Sequence, residues 1–312
     1  MAHITAGDLS PVTYLIENEY GTPAGTAQYY ADVAEGGKFT IQDNSNPYLA
    51  WRYGSRSFDP ADYVTQQMDA VFNAILETRD TAGWQRIIEN AAGVGGTAAY
   101  GPLPSRTAQI HVRTAPGAWQ GRVYHGCKTD ALTIKADAPG SIVQFEETVL
   151  ASYAENDNLA TPLAVWTGTA PAVQWLSGAK IGATQIYPQS FSLSISNALG
   201  RSYKPTDGQA ITGALLEGRR EITAEFDLWM EDLANIRASI ANGSVDDIEL
   251  TLGITAPVKI TLTGVRWMAS GDYSDLVQDK QREVLRFRAA GMVVAAVSTA
   301  TPGASPEEPQ EA

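Results

Sequence analysis

Strict two-residue alternation that switches abruptly to helical spacing is the feature that most restricts how this chain can fold. In EITAEFDLWMEDLANIRASIANG (Glu221 to Gly243), Ile222, Ala224, Phe226, Leu228 and Met230 share one parity. Glu221, Thr223, Glu225 and Asp227 share the other, which predicts a strand with one face in a core and one polar face. Leu233, Ile236 and Ile240 then follow at i, i+3 and i+7, predicting a short amphipathic helix that stops at Gly243. The same order occurs earlier. Val64, Met68, Ala70, Phe72, Ala74 and Leu76 alternate; Trp84, Ile87, Ile88 and Ala91 take helical spacing, and the pattern closes at Gly93.

Other segments alternate as well: FSLSISN from Phe191, DIELTL from Asp247, VKITLTG from Val258 and VLRFRA from Val284. Gly, Pro, Asn and Asp separate them, so the reading is mainly β, with antiparallel sheets half in a core. Downstream matches continue in order. RTAQIHVRTAP matches DDIELTLGITAP, VYHGCKTDAL matches TLTGVRWMAS, and SIVQFEETV matches REVLRFRAA, with landmarks roughly 140 to 160 residues apart. The expectation is two antiparallel β-sandwich modules, residues 1–158 and 159–296, each with a short flanking helix. Residues 297–312, rich in Pro and Glu, are expected to be a disordered tail.

No enzyme emerges from the residues. GVGG at Gly93 lacks the Gly-Lys-Ser/Thr of a phosphate loop and follows a predicted helix, so a turn is the better reading. His125 and Cys127 could touch along a strand, but a third orienting group is missing. SVDDIE and GDYSD lack the spacing of a calcium cage and read as solvated turns. Arg219 and Arg220 suit ion pairs at a strand end or a subunit contact better than a phosphate site. No cofactor or metal is implied.

Charge excludes another class. Lys and Arg number 22 against 35 Asp and Glu, a formal net charge of −13, where a general nucleic-acid binder needs a basic footprint. One cysteine excludes an internal disulfide framework. The N-terminus lacks a signal-peptide pattern and no apolar run reaches membrane-spanning length, so synthesis and folding in a cytoplasm are expected.

A Ser-alternating strand ending in Asn, a long loop, then a charged strand opened by GRREIT (SFSLSISNALGRSYKPTDG…LLEGRREITAEFDLWMED) resembles the tail tube proteins of tailed bacteriophages. The similarity is to the branch with subunits of roughly 300 residues; HGCKTDALTIKADAPGSIVQFEETV is similar to the same family. The resemblance covers roughly residues 60 to 290. It implies β-sandwich subunits, each with a flanking helix, whose strands join between neighbours into an inner β-barrel. Stacked rings would form a hollow tube, a structural component of the virion tail through which the genome passes without specific binding.

Partners implied are further copies of the chain and other tail proteins: tape measure, terminator, and baseplate or tip. Asp69, Asn73, Glu221, Thr223, Glu225 and Asp227 would line the lumen, where a mildly acidic surface repels a duplex bearing one charge per about 1.7 Å of axis. Arg286, Arg288 and Lys259 do not fit a purely acidic channel. The long segment 197–218, with Ser202, Tyr203, Lys204 and Asp207, is expected to order against a neighbouring subunit or ring. Two modules per chain favour a trimeric ring over a hexamer. The rival class is a carbohydrate-binding or adhesive β-sandwich, for which Trp119, Trp166, Trp175 and Tyr187 would supply aromatic contacts.

Overall fold

The computed structural model describes residues 9–20, 22–33, 39–49, 63–77, 81–93, 103–115, 118–138, 141–154, 176–206, 209–229, 246–253, 257–277 and 280–296. In chain order these form β1 (Leu9–Glu19), β2 (Thr22–Val33), β3 (Phe39–Leu49), β4 (Tyr63–Glu77), α1 (Thr81–Ala92), β5 (Arg106–Ala115), β6 (Ala118–Ala136), β7 (Gln144–Ala151) and β8 (Tyr153–Ala154). The second half contributes β9 (Leu176–Ile181), β10 (Thr184–Ile186), β11 (Ser190–Ser196), β12 (Gly200–Thr206), β13 (Gln209–Leu216), β14 (Glu221–Trp229), β15 (Ile248–Leu252), β16 (Val258–Thr263), β17 (Arg266–Val277), β18 (Lys280–Ala289) and β19 (Gly291–Ala296). The helix expected over 233–243, the 158/159 boundary and the tail lie outside the described residues.

Alternation decides which face of each strand is buried. Along β14 the even-numbered residues Ile222, Ala224, Phe226 and Leu228 are buried and the odd-numbered ones are not. β11, β15 and β16 follow the same rule. The inward side chains of β6, β7, β11, β14 and β18 meet those of the smaller sheet β10-β9-β15-β16-β19 in one core, where Phe145, Phe226 and Phe287 lie with Leu250 and Ile260. Each such side chain contributes about 1.5–3 kcal/mol through burial. α1 buries Ile87, Ile88, Ala91 and Ala92 and packs against β2, β6 and β11 of the large sheet and β16 and β19 of the smaller one. It ends at Gly93, as its spacing predicts.

The large sheet carries one pairing scheme twice. Lys128 lies opposite Leu150 and Thr129 opposite Val149; then β6 slips by one residue, and Ala131 faces Thr148. A constant step of 138 residues gives Arg266 opposite Arg288, Trp267 opposite Phe287, the same slip, and Ala269 opposite Arg286. Gly126 and Gly264, also 138 apart, take φ of 61° and 60°. Sequence matching pairs Val149 with Ala290 in the REVLRFRAA segment; the strand register pairs it with Phe287, three residues earlier.

Left-handed backbone and crowding together demand glycine here. A Cβ on Gly264 would sit 2.9 Å from Ala290 Cβ, and one on Gly126 would sit 2.8 Å from Ser152 Cβ. Gly264→Ala is expected to cost about 1–3 kcal/mol. Urea denaturation of the isolated subunit measures it; an unchanged midpoint would show that the turn relaxes freely.

Candidate functional site: a charge-paired sheet face and its open edges

The outward face of the large sheet is continuous between the two halves of the chain, because β11 pairs with β6. One transverse row runs Asn73, Thr148, Ala131, Ser196 and Glu221. The next runs Ile75, Glu146, Thr133, Ser194, Thr223 and Arg288. A third runs Gln144, Lys135, Ser192, Glu225 and Arg286. Hydrogen bonds stitch the rows: Thr148 Oγ1 donates to Asn73 Oδ1 at 2.8 Å, and the Thr133 and Ser194 hydroxyls meet at 3.0 Å. Asn73, Glu221, Thr223, Glu225 and Asp227 thus share one face although they come from distant segments. Asp69 is placed by its backbone alone, four residues before Asn73 and opposite Asn44.

The acidity expected of this face is partly offset by cross-strand partners. Arg286 Nε lies 2.9 Å from Glu225 Oε2, an Arg288 nitrogen lies 2.8 Å from Glu221 Oε1, and Lys135 Nζ lies 2.5 Å from Glu146 Oε1. Three carboxylates of this face (Glu146, Glu221 and Glu225) are therefore each held against a cation (Lys135, Arg288 and Arg286), which offsets part of its acidity. The hydrogen bond to Glu146 raises the Lys135 pKa, which keeps its charge fixed. In solvent such pairs contribute about 0–1 kcal/mol each, so their main effect is on the surface potential. Arg286 and Arg288 belong to this face, while Lys259 pairs with Glu249 at 2.5 Å on the smaller sheet.

The long loop expected to order against a neighbouring subunit or ring contains the β12–β13 hairpin, with Ser202, Tyr203 and Lys204 on β12; Asp207 lies outside the described residues. β13 reaches back to β4, where Ile211 lies opposite Met68, so the hairpin docks within its own chain. Weak alternation concealed these strands, since Pro205 and Gly213 interrupt the pattern. Arg220, expected in an ion pair, donates to the Ala92 carbonyl at 2.6 Å and to Asn197 Oδ1 at 2.9 Å. A cation there complements the C-terminal end of α1. Burial pulls the Arg220 pKa down, and Glu217 partly restores it.

The other weighed residues fall into structural roles. Cys127 is buried, its Sγ donates to the Tyr124 carbonyl at 3.3 Å, and burial pushes the thiol pKa far up, so the reactive thiolate is suppressed. His125 is buried with Nδ1 3.3 Å from Thr107 Oγ1. Tyr187 is exposed, Trp119 is placed by its backbone opposite Arg113, and Trp166 and Trp175 lie outside the described residues.

Sequence reasoning missed a buried polar cluster. Arg106 forms an ion pair with Glu147, and its guanidinium lies 4.2 Å from the centre of the Tyr14 ring. Tyr14 and Thr129 donate to the same carboxylate at 3.0 and 2.7 Å. Glu17 accepts from Thr107 Oγ1 at 2.8 Å and from the Gly126 amide at 2.9 Å. The signal was present, since Glu147 shares the inward parity of Phe145 and Val149.

At the outer flanks, β17 pairs only with β18 and β3 only with β4 among the described residues. Both leave one row of backbone donors and acceptors for another strand. A family model described as phage tail tube protein matches residues 7–309, nearly the whole chain. No curated protein matches the chain.

Proposed function

The chain belongs to the phage tail tube protein family, and from that premise we propose how it builds a tube: three copies close into one ring, and the charge-paired face lines the lumen. As a member of this family the chain is a structural subunit of the virion tail that associates with itself and with other tail proteins. Among the described residues no helix is long and apolar enough to cross a membrane.

The observation that carries the proposal is the β6–β11 pairing, which merges the polar faces of two repeated units inside one chain. Read as a duplication, each chain contributes two wall units, and three chains supply six positions about the ring axis. Strand pairing then continues from chain to chain, with the apolar faces kept inward in each subunit and the polar rows exposed to the channel. A lining whose cations are paired suits passage of a duplex: free lysines and arginines would bind phosphates, whereas Arg286 and Arg288 are held against Glu225 and Glu221. Tape measure, terminator and baseplate or tip proteins are the partners this role requires at the bore and the ends.

Electron microscopy of the purified protein tests the reading. Stacked rings of three chains with β11 and β14 toward the bore are expected. Six chains per ring would overturn the trimer, β14 on the outer wall would overturn the lining, and a protein that never assembles would argue against autonomous tube growth.

A further inference from the structure

We propose that the open edge of β17 takes β3 of a second copy as its partner, in the register that β6 and β11 use within one chain. The inference rests on the ring reading and specifies its seam. β17 stands to β18 as the later part of β6 stands to β7, residue for residue at a step of 138 from Lys128 to Leu132, the one-residue slip included. β3 stands to β4 as β11 stands to β14, at a step of 152. Phe39 opposite Ala74 becomes Phe191 opposite Phe226, and Thr40 opposite Asn73 becomes Ser192 opposite Glu225.

The inner members of these two equivalences, β6 and β11, are hydrogen-bonded to each other. The outer members, β17 and β3, each have one edge without a partner strand among the described residues, as β12 does at the far end of the sheet. Ala131 lies opposite Ser196 and Leu132 opposite Ile195. Applying the two steps sets Ala269 opposite Asn44 and Ser270 opposite Asp43 of the second copy. Ala269 and Ser270 precede the second irregularity of β17, so the register carries over there without adjustment.

The contact is head-to-tail, which closes when the rotation per copy divides a full turn.

Cysteine pairing tests the seam directly. Directly opposed antiparallel residues have Cα atoms about 4.5–5.5 Å apart, within the range a disulfide bridges. Cys127 is buried and does not compete. Two single variants, Ala269→Cys and Asn44→Cys, are mixed, assembled and oxidised, beside an Ala131→Cys/Ser196→Cys control that closes inside one chain. Linked dimers from the mixture, and none from either variant alone, are expected. The double variant Ala269→Cys/Asn44→Cys should give a ladder that ends at three chains. Tubes with a closed control and no linkage in the mixture would overturn the seam and leave the tube reading intact. Failure of the unsubstituted protein to form tubes would instead strike the tube reading itself.

Discussion

Glu147→Ala is expected to destabilise the subunit by about 3–5 kcal/mol, the range for removing one partner of a buried ion pair. The Arg106 and Glu147 side chains are 1% and 0% exposed, so the stranded guanidinium has no route to bulk water without local unfolding. Tyr14 and Thr129 lose their acceptor in the same step, and each stranded donor adds to the cost. Urea denaturation of the unassembled subunit gives the value directly. The double variant Arg106→Met/Glu147→Leu should recover most of it, because apolar replacement of a whole buried pair is often neutral. The chain itself supplies the precedent: 138 residues after Glu147 stands Leu285, 1% exposed in the same strand position. A double variant as unstable as Glu147→Ala would show that the charges specify this half of the fold rather than merely tolerating burial.

That comparison also shows what the sequence could and could not reveal. Period-two alternation assigns Ile222 to Leu228 to the core and Glu221 to Asp227 to the open face, because parity alone decides the side of a strand. It says nothing about which strands are neighbours. Glu225 and Arg286 are 61 residues apart, and only the β14–β18 pairing makes them partners. An acidic face was therefore legible, and the pairing of its carboxylates with cations was not. Alternation also leaves sliding freedom in even steps. Phe72 looks like the counterpart of Phe226, yet the register equates Phe72, opposite Val149, with Ala224, opposite Phe287. The two-residue error preserves the face and so leaves no trace in the pattern. An odd error, as in the REVLRFRAA match, exchanges the faces; there the matched residues were too few to fix the position.

Asn197→Ala is expected to cost more than about 2 kcal/mol, since each buried polar group left without a partner costs about 1–3 kcal/mol. Asn197 is 2% exposed and joins four parts of the chain. Its Nδ2 donates to the Ala91 carbonyl at the end of α1 and to the Thr129 carbonyl of β6, both at 2.9 Å. Its Oδ1 accepts from Arg220, and its backbone bonds Asp130 and Gly218. A Cβ on Gly218 would lie 2.3 Å from the Ala198 carbonyl oxygen, so this glycine is fixed by close approach. The Asn at the end of the Ser-alternating strand and the GRR before the charged strand are thus one joint. It fastens the helix of the first half to the β6–β11 seam and to the entry of β14. Hydrogen exchange should show the last turn of α1 and the Ser196 end of β11 opening together in the variant, ahead of the core around Phe226. Opening of α1 alone would mean that the asparagine is a helix cap with no hold on the seam. Joint opening would place the weakness at the pairing that unites the two halves, and ring assembly should then fail at temperatures where the variant subunit is still folded.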